Sequence, residues 1–172
     1  GLSLEQLAST PLDGRDLRIR RELSGTSEYR RYAVTYRGGG QRLTGIMNVP
    51  RGKGPFPVVV LAHGYIDPAV YGSGHGFRRE QDALARNGNV ALHVDYRNHA
   101  GSSDDPDNDL LMRLGYAEDI LNAAVAVRAS DLPFLDGERI GVLGRSMGGS
   151  VTFNALVARP GVFDAAVGTK QI

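Results

Sequence analysis

Apolar positions along this chain fall into patterns of three kinds, and each predicts a different element. From Tyr29 the segment YRRYAVTYRGGGQRLTGIMNVP alternates apolar and polar side chains on both sides of Gly38-Gly39-Gly40, which predicts an antiparallel hairpin. Predominantly apolar runs follow at 57–64 (PVVVLAHG), 89–96 (NVALHVDY), 139–144 (RIGVLG) and 163–168 (FDAAVG). Such runs predict strands buried on both faces of a parallel sheet. Between them the pattern is helical. One helix is expected over about 77–87, closed by Gly88. A second is marked by Leu110, Leu114, Ala117, Leu121 and Ala124, and a third runs from Ser146 to about Ala158, ended by Arg159-Pro160-Gly161. Residues 1–27 are polar and weakly periodic; a short helix near Leu2–Ala8 and then a docked arm are expected there.

Strands alternating with helices through short links imply a mostly parallel sheet covered by helices on both faces, so the fold class is α/β. With 172 residues, 41% of them hydrophobic, the chain can bury one substantial core. The expected division is an N-terminal arm, 1–27, and an α/β catalytic unit, 28–172.

Composition removes several function classes. The net charge is +1 and no block of like charges occurs, so nothing recommends nucleic acid or an anionic membrane as a partner. Cysteine is absent, which excludes disulfides and thiolate chemistry. No apolar stretch approaches the roughly 20 residues needed to span a bilayer. The first residue is Gly rather than Met, which leaves upstream processing open.

The chemistry concentrates in GVLGRSMGGSV (141–151), a buried run followed by Gly-x-Ser-x-Gly-Gly and a helix. A strand passing directly into a helix with Ser146 at the corner forces a strained backbone there. Gly144 and Gly148 have no side chain to collide with the neighbouring strand and helix. This is the pattern of a nucleophile elbow, which raises the serine Oγ above the sheet and aims the helix N-terminus at it. The Met147 N–H then points toward an oxygen turning negative beside Ser146. A serine merely capping a helix is the plainer reading; the strand–turn–helix context favours the elbow. The glycines do not spell G-x-G-x-x-G, and no lysine follows them as a P-loop requires. An oxyanion hole needs a second donor from the loop after an earlier strand. His63-Gly64-Tyr65 leaves the first buried strand and offers the Tyr65 N–H, with Gly64 allowing close approach. His63 precedes the serine and ends a buried strand, so its expected role is to shape the turn.

In the segments VVVLAHGY, DYRNHAGSS, DGERIGVLGRSMGG and FDAAVG, in that order and spacing, the chain resembles the α/β-hydrolase superfamily. It is most similar to prolyl-oligopeptidase-type serine peptidases and the related esterases and dienelactone hydrolases. The resemblance spans about residues 28–172. It implies Ser146 as nucleophile, Tyr65 and Met147 as oxyanion donors, and an ester or peptide substrate; no histidine pair has the i, i+4 spacing of a helical metal site, so no metal is expected, nor a cofactor. LSLEQL, EYRRYAVTYR and HGYIDPAVY look like exported bacterial hydrolases of this type, which implies a cell-envelope or exported location, with a cytoplasmic one as the alternative.

The superfamily places its acid and then its histidine after the serine. Here only Asp164 follows Ser146, with no histidine, and Asp164 begins its strand at the edge away from the site. The chain is therefore expected to end after about the sixth of eight strands, with the missing pair in a further C-terminal segment of roughly 80 residues, judged from typical domain size. That segment would pair along Ala165–Thr169 as part of the same chain or as a second one, and residues 1–172 alone are expected to be inactive. Two other readings stay open. One is a non-catalytic binding module that keeps the elbow without the triad; the other is an enzyme drawing its base from an upstream histidine, His99 or His75. His93 is expected to be a satisfied core residue, and Asp104, Asp105 and Asp107 a solvated turn.

Overall fold

The computed structural model describes residues 2–111 and 113–170. The chain opens with α1 (Leu4–Ser9), whose start is fixed by Ser3: its hydroxyl accepts the Gln6 N–H, and the Gln6 side chain returns to the Ser3 N–H. This reciprocal capping satisfies two otherwise orphaned donors. Next comes β1 (Arg15–Leu23), an antiparallel strand within the stretch expected to be only a docked arm. Of its nine residues only Leu17 is buried, so its alternation is too weak to read. Backbone pairing rather than side-chain burial holds it, and its register shifts twice along the sheet edge. The hairpin follows as predicted, with β2 (Tyr29–Gly38) and β3 (Gln41–Pro50) paired from Tyr29↔Pro50 to Gly38↔Gln41. Gly39 and Gly40 turn it with φ of 58° and 76°, the positive values a tight hairpin needs.

The α/β part comprises β4 (Phe56–Ala62), α2 (Arg78–Arg86), β5 (Val90–Val94), α3 (Leu114–Arg128), β6 (Leu135–Arg145), α4 (Met147–Ala158) and β7 (Ala165–Thr169). One seven-stranded sheet runs β1-β2-β3-β5-β4-β6-β7; β4, β5, β6 and β7 are parallel and the first three antiparallel. The expected six strands are thus joined by β1 at the outer edge.

Val58, Val60 and Ala62 of β4 and Val90, Leu92 and Val94 of β5 pack with α3 and α4 in the main core. Their alternates Leu61 and Ala91 pack with Phe77 and Leu84 on the opposite face, under α2. Both faces of these strands are covered, which is why their sequences are apolar at nearly every position, His93 excepted. The chain crosses from one face to the other around β4. At such a switch point the loops leaving adjacent carboxyl ends splay apart and leave a crevice.

Two expectations need correction. α3 begins at Leu114, and Leu110 lies in the preceding turn, 81% exposed. Nearly every turn of α3 is buried all round, including Asp119 and Asn122, so a single stripe understated its burial. β7 is exposed along its length rather than buried, because among the described residues β6 is its sole sheet neighbour. No helix among the described residues is long and apolar enough to cross a membrane.

Candidate active site

Ser146 stands between β6 and α4 with φ 55° and ψ −118°, a conformation that residues with a Cβ rarely adopt. Several hydrogen bonds hold it there. Its N–H donates to the Thr169 carbonyl at 2.8 Å, and its own carbonyl accepts the Gly149 and Ser150 N–H groups at 2.9 and 3.3 Å. Ser146 is half-buried rather than packed into the core. The sharp corner requires close approach on both sides. A Cβ on Gly144 would lie 2.2 Å from the Gly148 carbonyl oxygen, and one on Gly148 would lie 1.8 Å from that of Ala62. Both glycines singled out in the sequence are therefore sterically required, and the torsions expected of the turn are present.

The turn after β4 reaches the same point. A Cβ on Gly64 would sit 3.5 Å from Ser146 Cβ and 3.3 Å from the Arg145 carbonyl oxygen, so the Gly64–Tyr65 peptide lies against the serine corner. Neither the Tyr65 nor the Met147 N–H has an acceptor among the described residues. His63 orients that peptide. Its ring is fully buried, with Nδ1 2.7 Å from the Gly64 carbonyl oxygen and Nε2 3.0 Å from that of Asp95. Because a trans peptide sets C=O and N–H on opposite sides, a Gly64 carbonyl drawn inward turns the Tyr65 N–H outward. Burial, reinforced by the neighbouring His93, lowers the His63 pKa to about 4, so the ring is neutral at neutral pH. Its expected turn-shaping role agrees with these contacts.

Asp95, at the carboxyl end of β5, is fully buried and collects four donors. Tyr71 Oη lies 2.5 Å from it, Ser73 Oγ 2.6 Å, Thr44 Oγ1 2.7 Å and the Gly74 N–H 3.0 Å. Burial pushes its carboxyl pKa up. Neighbouring His93 together with the Ser73, Tyr71 and Thr44 hydroxyls outweighs that and holds it below the ordinary carboxylate value. Three of the donors come from the loop that carries Tyr65, so one carboxylate clamps that loop to the sheet. Two residues on, Arg97 meets Asp105, Glu118 and Asp119 at 2.9, 2.7 and 2.8 Å. This corrects Asp105: it neutralises a buried guanidinium instead of lining a solvated turn.

Three of the four upstream histidines have polar contacts elsewhere. His99 is buried, its Nδ1 2.9 Å from the Arg97 carbonyl oxygen and its ring edge-on to His63, Tyr71 and Tyr116. His75 is exposed, and its Nδ1 accepts the Gly72 N–H. His93 is in the core and stacks on His63, but neither ring nitrogen has a hydrogen-bond partner among the described residues, so it is not the satisfied residue expected. No hydrogen bond joins any of the four to Ser146 among the described residues. Asp164 accepts the Ile140 N–H at 2.8 Å, holding the amino end of β7 against the middle of β6, away from the serine. Among the described residues no cluster of three or more His, Cys, Asp or Glu is placed to hold a metal ion. Sequence reading missed Asp95 and Arg97; a buried strand ending in Asp-Tyr-Arg is the signal that could have marked them.

The profile of the prolyl oligopeptidase family matches residues 75–171. No curated protein matches the sequence. Among solved structures, acetyl xylan esterase 1 from Thermoanaerobacterium sp. JW/SL YS485 is similar over 97% of this chain and 56% of its own, with 20% identity and a TM-score of 0.68. An acetyl xylan esterase from Paenibacillus sp. R4 is similar over 95% and 55%, with 24% identity and a TM-score of 0.62. A hyperthermophilic esterase from the archaeon Pyrobaculum calidifontis is similar over 95% and 47%, with 25% identity and a TM-score of 0.60. The chain thus spans about half the length of these structures and shares their α/β-hydrolase fold.

Proposed function

Because the chain belongs to the prolyl oligopeptidase family of α/β-hydrolases, we propose that it carries the nucleophile and oxyanion hole of a serine hydrolase acting on an ester or peptide bond. In this reading Ser146 Oγ attacks the scissile carbonyl as a base takes its proton. The carbonyl oxygen becomes negative and is held by the N–H groups of Tyr65 and Met147. The bond to the leaving group breaks, the leaving alcohol or amine takes the proton, and an acyl group remains on Ser146. Water, deprotonated by the same base, then releases the acid and restores the serine.

The carrying observation is the backbone of Ser146, positive in φ and wedged against Gly64 on one side and Thr169 on the other. Strain held in place by so many contacts supports a catalytic use of the hydroxyl. The base and its orienting acid are assigned to a further segment, beyond residue 172 or on a second chain, that pairs along β7. Supporting this, none of the four histidines is hydrogen-bonded to Ser146 among the described residues, and among those residues β7 has one open edge. The esterases sharing the fold favour testing esters first.

The test is labelling of the full-length protein with a fluorophosphonate, followed by peptide mass analysis and 4-nitrophenyl acetate hydrolysis. The expected adduct is on Ser146, with labelling and turnover both lost in Ser146→Ala. Residues 1–172 alone should show near-background turnover, restored when the further segment is supplied. A full-length protein that neither labels nor turns over would favour the non-catalytic binding module. Ser146-dependent turnover by residues 1–172 alone would send the search for a base back to His99 and His75.

A further inference from the structure

Arg113 stands beside both proposed oxyanion donors without a role in the scheme above. The Arg113 guanidinium carbon lies 5.4 Å from the centroid of the Tyr65 ring, and Nη1 is 3.4 Å from the Met147 thioether sulfur. It thus bridges the side chains of the two residues whose N–H groups flank Ser146.

Helix chemistry does not call for an arginine here. Arg113 immediately precedes α3 and gives it no side-chain cap. Its φ of 59° and ψ of 24° are left-handed, a conformation unfavourable for a residue with a Cβ. A positive charge at a helix N-terminus also opposes the helix dipole. Its one ion pair among the described residues, Nε to Asp109 Oδ1 at 3.1 Å, is a surface contact with the carboxylate side chain 75% exposed, and such pairs contribute little. Position and conformation are therefore unexplained by local stability, while both contacts point to the site.

We propose that Arg113 is a specificity-determining residue that binds a carboxylate carried by the substrate near its scissile carbonyl. This rests on the reading of Ser146, Tyr65 and Met147 as the reacting centre. The guanidinium fork suits a carboxylate: Nη2 has no acceptor among the described residues, and Asp109 is exposed enough to be displaced. The Tyr65 ring, Val70 and Leu110 are 63, 70 and 81% exposed on loops at the same edge of the sheet. The Tyr65 ring beside the guanidinium offers an apolar face next to the cation, which fits a substrate with an apolar or aromatic body and an anionic end.

Binding, measured apart from turnover, tests this. The full-length protein as S146A keeps the probe intact, and calorimetry compares 4-acetoxybenzoate with its methyl ester. The same pair is measured in S146A/R113Q and S146A/R113K. S146A should bind the carboxylate at least about tenfold tighter than the ester, as a charge-assisted pair implies. R113Q should abolish the difference while leaving the ester unchanged, and R113K should keep part of it. Equal affinity for both probes, no binding of either, or a preference that survives R113Q would overturn the proposal. Turnover is read separately with Ser146 present: selective binding without Ser146-dependent hydrolysis would overturn the nucleophile and leave the anion site standing.

Discussion

Gly148 sets its bare Cα so close to the Ala62 carbonyl that a single added carbon would stand 1.8 Å from the oxygen. That contact brings the first turn of α4 onto the end of β4, and with it Ser146 onto the turn that holds Tyr65. Gly148→Ala should therefore destabilise the fold by about 3 kcal/mol, as overpacking does, although alanine is the better helix former. Gly161→Ala, where nothing lies within 4 Å, should cost nothing measurable. Urea denaturation of both variants checks this, and equal midpoints would contradict it.

Gly64 has more room. A Cβ there meets the Arg145 carbonyl oxygen at 3.3 Å and Ser146 Cβ at 3.5 Å, so Gly64→Ala should fold with a stability loss under about 1 kcal/mol. The same few tenths of an ångström would shift the Tyr65 N–H relative to Ser146. Hydrolysis by the full-length protein should then fall in kcat by roughly ten- to a hundredfold, since small misplacements near reacting atoms are costly. Unchanged kcat would remove Tyr65 from the oxyanion hole.

Asp95 gathers Tyr71, Ser73 and Gly74 onto β3 through Thr44. An amide in its place offers one acceptor oxygen and no charge, so Asp95→Asn should destabilise the protein by about 3 kcal/mol. Hydrogen exchange should speed up most in residues 65–76, with β2 and β3 less affected. A uniform increase across the sheet would argue against a clamp on that loop.

His63 makes the fold sensitive to mild acid. Its folded pKa of about 4 lies below the ordinary histidine value, so between roughly pH 6.5 and 4 the unfolded chain binds a proton that the folded chain does not. Stability consequently falls as pH falls through that window, by about 3 kcal/mol in total from this one group. Below the folded pKa both states are protonated and the decline from His63 stops. Asp95, with its folded pKa held below the ordinary carboxylate value, continues the loss at lower pH. His63→Gln should flatten the pH dependence between 6.5 and 4 in denaturation curves. A slope the same as that of the unsubstituted protein would contradict the assignment.

The division between what was legible in the sequence and what was not follows the range of the interactions. Hairpin, buried strands, the helix after Ser146 and the glycines of the corner are set by short-range sterics and by side-chain period, and VVVLA and GRSMGG carry both signals within a few residues. The Ser-containing turn was readable because its close approach tolerates only glycine at 144 and 148. By contrast, β1 is held by pairing with β2 rather than by burial, so its own residues look like an arm. β7 reads as buried because its sequence is apolar, yet burial depends on a neighbour its residues do not specify. Asp95 and Arg97 look like ordinary loop-edge polar residues until the fold brings partners to them: Thr44 from 51 positions away, Asp119 from 22. Arg113 meets Met147 across 34 positions. Sequence alone therefore determined the class of fold and the glycine-flanked corner at Ser146. Only the tertiary structure decided what orients the Tyr65 N–H, what clamps its loop and which charge stands beside the Tyr65 and Met147 side chains, because those depend on distances between segments that local patterning cannot encode.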